Sequence, residues 1–393
     1  MPSTTADRIY LDHAATTSIR SEVMEAMVRT LAETPGNPSS PHREGRTARS
    51  VLEGARARVA AALGVDPSHV IFTRGGTESD NLAILGRARA EPRGAVVISA
   101  LEHSAVREPA RRLEVEGRPL VVLPFHPSGA PDLEALMAAT EASPPPALLS
   151  VQAVNSETGL VLDVDAVLEQ AATRGIPVHV DAVQALGRLP LSGAPALLTL
   201  SAHKVGGPRG FGVLVRDPVV ALMPLQLGGS QERGLRPGTE DVAGAVGGAL
   251  AVELAVAEQV TEAPRLEALR SWLEAALVEE VPELRVHGRE GRRAPHILSV
   301  GVPGVPRDLL PGALDLEGVA ASAGSACRSG ASEPSPVLVA LYGGEAAGVA
   351  PVRFSLGRTT TRSEVEAALP RILRVLHRVR TGFTPPPGPP TPA

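Results

Sequence analysis

One cysteine and one lysine occur in 393 residues, and each scarcity excludes something. With Cys327 alone there can be no intramolecular disulfide, which fits a reducing compartment and leaves the thiol open to chemistry or to packing. Residues 1–7 show no basic run leading into an apolar core, and no later stretch reads as long and apolar enough to span a bilayer. The expected location is the cytoplasm, with no membrane partner. Formal charge is -5 and arginine is gathered into no block, so electrostatics give no reason to expect direct nucleic-acid binding. The expected ligand is small.

Of the 38 lysines and arginines, 37 are arginine. Solvated surface positions tolerate either residue, so a coding bias alone can make that swap. It cannot replace a lysine whose amine must be deprotonated and nucleophilic, because a guanidinium stays protonated and forms no imine. Lys204 is therefore either a chance survivor or indispensable, and its neighbours decide between the two.

The length exceeds what one hydrophobic core normally serves, so two domains, or roughly two to three, are expected on 43% apolar residues. From about 70 to 215, short apolar β-branched runs alternate with amphipathic segments, the pattern of an α/β layer with a mostly parallel sheet. Candidate strands are 70–73, 95–99, 120–123, 148–151, 178–181, 197–201 and 212–215; candidate helices are 78–89, 106–116 and 164–174. A long Ala/Leu/Glu segment over 241–281 reads as a helix leading into a smaller region with strands near 296–300 and 352–355. No internal repeat is found, and the proline-rich ending reads as disordered.

Ser201-Ala202-His203-Lys204-Val205-Gly206-Gly207-Pro208 follows a predicted strand, and strand C-terminal ends in α/β sheets face the ligand crevice. Asp181 ends another strand, where its carboxylate suits either a protonated pyridine nitrogen or the capping of the next turn. Phe72-Thr73-Arg74-Gly75-Gly76-Thr77-Glu78-Ser79-Asp80-Asn81 runs from strand through glycines into a helix start. Backbone N–H groups there suit a phosphate, although the same residues also make an ordinary capped turn.

With these pieces assembled, the chain resembles the cysteine desulfurases of the class V aminotransferase family, which are pyridoxal-phosphate enzymes, over nearly its whole length. The motifs that carry the resemblance stand in the family's order. They are residues 11–17, 36–40 and 72–81, Glu102-His103, His179-Val180-Asp181-Ala182-Val183-Gln184 and Ser201-Ala202-His203-Lys204. Glu232-Arg233-Gly234-Leu235-Arg236-Pro237-Gly238-Thr239, Gly324-Ser325-Ala326-Cys327 and Arg353-Phe354-Ser355-Leu356-Gly357-Arg358 complete the set. The resemblance implies fold type I: an α/β domain over 14–259 that binds pyridoxal 5'-phosphate, and a smaller α+β domain from 1–13 and 260–383. The latter carries the cysteine loop, and 384–393 form a disordered tail.

By position, the resemblance implies that Lys204 bonds covalently to the cofactor, that Asp181 pairs with the pyridine nitrogen and that Gln184 bonds the phenolic oxygen. It places His103 stacked on the ring, where it also moves protons. Gly76, Thr77, Ser201 and His203 match phosphate contacts. Thr239 matches a contact supplied by the neighbouring subunit, which implies a homodimer. Arg353 matches the arginine that clamps the substrate carboxylate, a task for a planar bidentate donor.

Cys327 sits in a small-residue stretch with the composition of a mobile loop, beside Arg328, whose charge favours thiolate. The resemblance makes it the nucleophile that takes sulfur from L-cysteine as a persulfide, releasing alanine. No resident metal is implied, only transient ligation of an iron–sulfur cluster by Cys327. Residues 327–333 match the longer loop of desulfurases that serve a protein acceptor, an iron–sulfur scaffold or a tRNA-thiolation carrier. The departure is Ser156, where family members usually carry Asn, which helps hold cofactor and substrate.

A selenocysteine lyase, a cysteine sulfinate lyase or a class V aminotransferase would share Lys204, Asp181 and His103, though a plain aminotransferase has no use for the loop cysteine. Two remoter readings are an inactive sulfur-transfer scaffold and a non-haem iron oxygenase, the latter because His179 and Asp181 share a strand face as in a two-His-one-carboxylate site.

Overall fold

The computed structural model describes residues 8–191, 193–324 and 334–382. After the two-residue strand β1 (Ile9–Tyr10) come two helices, α1 (Ser21–Glu33) and α2 (Arg43–Leu63). Gly64 ends α2 in the left-handed conformation, φ 68°, which a residue without Cβ adopts freely. Strand β2 (Val70–Thr73) then leads into one continuous helical run of three parts. These are α3 (Gly76–Asn81), a wide turn over Leu82–Gly86, and α4 (Arg87–Ala90).

The alternation read from the sequence follows as β3 (Val96–Ser99), α5 (Ser104–Val115), β4 (Leu120–Leu123), α6 (Leu133–Thr140), β5 (Leu148–Gln152), α7 (Val164–Ala172), β6 (Val178–Asp181), β7 (Leu197–Ser201) and β8 (Gly212–Arg216). Seven strands form one sheet in the order β2-β8-β7-β6-β5-β3-β4. It is parallel from β7 to β4, while β8 runs antiparallel to both its neighbours. Helices cover both faces, so most strands are wholly buried and read as unbroken apolar runs.

Three polar pairs interrupt those runs. Ser150 and Gln152 on β5, His179 and Asp181 on β6, and Thr199 and Ser201 on β7 alternate with apolar residues, so period two places each pair on one face. Register aligns Ser150 with His179, Gln152 with Asp181 and Asp181 with Thr199. A polar strip thus crosses three adjacent strands toward their C-terminal ends.

Helix α8 (Val242–Glu280), capped by Asp241 accepting from the Gly244 N–H, belongs to two cores. Its first part, to Ala255, packs on α1 and α2 in the large core; Leu266–Leu277 enters a second core with Leu11, Val300, Phe354 and Ile372. The second core surrounds the antiparallel sheet β12-β10-β9, from β9 (Arg285–Val286), β10 (Ile297–Pro303) and β12 (Val349–Ser355), and the parallel pair of β1 with β11 (Val319–Ala320). Helices α9 (Leu309–Leu316) and α11 (Arg362–Gly382) flank it, while α10 (Pro336–Tyr342) sends Val337 and Leu341 into the larger core.

One expectation is corrected here. The sequence reads as lacking any segment fit to span a bilayer, yet α8 is long and apolar enough by length and composition. Its apolarity is spent inside the fold, where 56% of its most apolar stretch is buried. A helix facing two cores has little polar face left to show.

Candidate active site

The C-terminal ends of the parallel strands open onto a cavity of about 230 Å³. Lys204, His203 and Ser201 reach it from the end of β7, and Asp181 and Gln184 from β6 and the turn after it. Gly76 and Thr77 enter at the start of α3, His103 at the start of α5. Ser156 and Arg353 close the far side, so the structure brings together nearly every residue singled out in the sequence.

Lys204 ends a short turn after β7, where its Nζ donates to the carbonyls of Ala14 at 2.6 Å and Ala15 at 2.9 Å. Asp181 is buried, with Oδ1 accepting from the Val183 N–H at 2.9 Å. Burial pushes its carboxyl above the ordinary range, against the pull of that N–H, His103 and Lys204. His103 caps α5, its Nδ1 accepting from the Ala105 N–H at 3.1 Å, which leaves the ring proton on Nε2. Burial lowers its pKa, Asp181 acts the other way, and Lys204 and Arg107 add to the lowering. Gln184 spends one amide hydrogen on the Ala14 carbonyl at 2.9 Å, while its Oε1 meets His296 Nε2 at 3.1 Å.

At the other end of the cavity, the Ser201 hydroxyl is buried and has no partner among the described residues. His203 Nδ1 lies 3.1 Å from Thr16 Oγ1, and burial, reinforced by Lys204 and Arg209, lowers its pKa to about 4. A Cβ on Gly76 would stand 3.0 Å from Val183 Cγ2, and Gly75, at φ 137°, adopts a conformation that side chains resist. The strand and the helix start therefore approach more closely than residues with side chains permit.

Arg353 is buried, and donates from Nη2 to Asp12 Oδ1 at 2.8 Å and from Nη1 to the Ser156 carbonyl at 2.7 Å. Its Nε has no partner among the described residues. Ser156 thus serves Arg353 through its backbone. The adjacent Asn155 is wholly committed: Nδ2 to the Leu101 carbonyl, Oδ1 from the N–H groups of Glu157 and Thr158 and the Thr158 hydroxyl. It does not stand in for the missing family Asn.

The model of the family described as aminotransferase class-V matches residues 9–368. The chain belongs to this family. An IscS-like cysteine desulfurase of Mycobacterium tuberculosis is 40% identical over 381 residues, 94% of this chain and 97% of that protein. A cysteine desulfurase IscS of Dictyoglomus turgidum is 38% identical over 378 residues, 95% of each chain. Among solved structures, a NifS-like protein superposes with a TM-score of 0.85 at 33% identity, covering 94% of this chain and all of that one.

Class V aminotransferases use pyridoxal 5'-phosphate, and the cavity fits it. The Ser201 hydroxyl, unpartnered among the described residues, and the glycine-lined helix start suit a phosphate, and the buried Asp181 carboxyl suits a protonated ring nitrogen.

One expected residue is not brought to the cavity: Thr239 is exposed and does not line it. Cys327 lies outside the described residues, as does the 384–393 tail. Gly324, three residues before Cys327, does line the cavity. The iron-oxygenase reading fails: His179 is fully buried, with Nδ1 2.9 Å from Ser150 Oγ and Nε2 3.0 Å from Thr199 Oγ1. No cluster of three or more potential metal ligands exists among the described residues. Sequence reasoning missed Asp12 and His296 as the partners of Arg353 and Gln184; Asp12 lies in a quoted motif, His296 in none.

Proposed function

We infer that this protein is a pyridoxal-phosphate-dependent cysteine desulfurase, converting L-cysteine to L-alanine and passing the sulfur through Cys327 to an acceptor. The observation that carries this reading is the convergence of the chain's one lysine with Asp181, Gln184 and His103 in one cavity that also holds Gly324, the near end of the cysteine loop. It accords with relatives themselves named cysteine desulfurases.

Bound there, the cofactor supplies an electrophilic carbon for the substrate amine and an electron-poor ring. Lys204 would hold the cofactor at rest and would move the proton on the substrate α-carbon. Asp181 would pair with the protonated ring nitrogen, and neutral His103 would serve as a ring contact and proton carrier. Arg353, fixed by Asp12, orients the substrate carboxylate through Nε. The Cys327 thiolate attacks the substrate sulfur: a sulfur–sulfur bond forms, the carbon–sulfur bond breaks, and the carbon fragment takes up a proton to leave as alanine. An acceptor thiolate then removes the outer sulfur and restores Cys327.

The working unit is a homodimer, with Thr239 completing the neighbour's phosphate site. The acceptor is a protein thiol of an iron–sulfur scaffold or a tRNA-thiolation carrier, and the reaction takes place in the cytoplasm. The test is alanine release from L-cysteine by the purified holoenzyme. Lys204→Ala should abolish it. Cys327→Ala should retain the cysteine-induced change in cofactor absorbance yet release no alanine; normal alanine output from that variant would sink the proposed role.

A further inference from the structure

The motif from Glu232 to Thr239 contributes no side chain to the cavity, yet its backbone is the least ordinary in the described fold. Glu232 at φ 45°, Arg233 at φ 59° and Gly234 at φ 74° make three consecutive left-handed residues, two of them bearing side chains. Such a run persists only where its surroundings impose it.

Here the constraint is visible. The Glu232 carboxylate is buried and takes both Nη atoms of Arg56, on α2, at 2.7 Å each; Oε2 also accepts from the Phe72 N–H of β2 at 2.9 Å. Arg56 donates further to the Val70 carbonyl at 2.8 Å, and its guanidinium lies 4.5 Å from the centre of the Phe72 ring. Arg233 holds the same Val70 carbonyl at 2.9 Å and that of Pro67 at 3.1 Å. Downstream, Arg236 reaches Glu78 at 3.3 Å and Asp241 accepts from Arg74 at 2.8 Å. The left-handed turn is thus fastened to β2 and to both sides of the segment 74–78, which carries Gly76 and Thr77 into the cavity.

We propose that the Arg56–Glu232 pair is a positioning device for the cofactor phosphate: by locking the left-handed turn onto β2, it holds segment 74–78 in register with Ser201. The inference rests on the reading of Gly76 and Thr77 as phosphate contacts. Neither Arg56 nor Glu232 lines the cavity, so both act through that segment.

The test uses full-length apoprotein titrated with pyridoxal phosphate and, separately, with pyridoxal, which lacks the phosphate. Glu232→Gln is expected to weaken pyridoxal phosphate by about tenfold or more, because the charge-assisted bidentate pairing is gone, with little change for pyridoxal. Leaving Arg56 stranded threatens folding, so the double variant Arg56→Met/Glu232→Leu, which removes both buried charges together, keeps the measurement available and should show the same selective loss. Unchanged affinity for pyridoxal phosphate, or equal weakening of both ligands, overturns the proposal. Gly76→Val separates the two layers. If it leaves pyridoxal phosphate affinity intact, the phosphate reading itself fails and the proposal falls with it; if it weakens that affinity while the Glu232 variants do not, only the positioning role is wrong.

Discussion

Asp12 and Arg353 form a largely buried ion pair, Oδ1 to Nη2 at 2.8 Å, joining the segment after β1 to the middle of β12. With the Ser156 carbonyl on Nη1, it fixes the guanidinium plane and leaves Nε without a partner among the described residues. Asp12→Asn keeps the shape and removes the charge. The KM for L-cysteine is expected to rise about tenfold with kcat changed by less than about twofold, the signature of binding weakened equally in the ground and transition states. Arg353→Lys should be worse, because an ammonium cannot reproduce the fork. Steady-state alanine formation checks both.

Ser201 offers a cleaner separation of binding from folding. Its hydroxyl has no partner among the described residues, so Ser201→Ala removes no bond seen in the cofactor-free fold. Thermal stability of the apoprotein should be unchanged, while the affinity for pyridoxal phosphate drops by roughly 1.5–3 kcal/mol, the worth of one hydrogen bond to a charged group. Equilibrium titration of the apoprotein reads the loss.

Stability of the apoprotein should fall on acidification below neutrality. Burial lowers His13, His203 and His287 to about 4 and His179 to about 3, and His296 lies well below its ordinary value through burial and then Arg188. As pH drops from about 6.5 toward 4 the unfolded chain takes up protons that the fold refuses, so each of these groups withdraws stability. Asp80, Glu102 and Asp181 act oppositely: burial raises all three, and the fold keeps protons that the unfolded chain releases above about pH 4. With His103, also lowered by burial, six histidines oppose three acids, so net proton uptake on unfolding near pH 5 is expected. Calorimetry in buffers of different ionisation enthalpy measures it.

Gly248 packs against the ring of Phe211, where an added Cβ would sit 2.1 Å from Cδ1. Phe211 in turn rests against Phe72, ring centres 5.1 Å apart, so no empty space absorbs the intrusion. Gly248→Ala should cost about 1–3 kcal/mol of stability by overpacking, despite the better helix propensity of alanine. Urea denaturation gives the value.

How much of the molecule is legible in the sequence differs by level. The strands of the large sheet can be read because burial on both faces makes most of them mainly apolar runs, as in Val96–Ser99, where only the last residue is polar. The reversed direction of β8 also has a signal, though a subtle one: the link from Ser201 to Gly212 is too short for the crossover a parallel neighbour needs. Lys204 stands out by scarcity and position. The partnership of Arg353 with Asp12 is closed to inspection, since the two lie at opposite ends of the chain and their pairing depends on β1 and β12 meeting in the second core. The left-handed Glu232 and Arg233 are equally hidden, because no propensity marks such residues for that conformation; it goes with tertiary contacts to Arg56, Phe72 and Val70.

Lys204 carries the only side-chain amine in the molecule, tucked against the carbonyls of Ala14 and Ala15 inside the cofactor cavity. Reagents that modify lysine amines therefore find no competing lysine on the surface, where the cations are guanidinium and imidazole. Acylation of that one side chain, told apart from the chain's α-amine by peptide mapping, becomes a gauge of cofactor occupancy: loaded protein is protected there and emptied protein is marked. A composition that made one residue conspicuous in the sequence turns the folded enzyme into its own label.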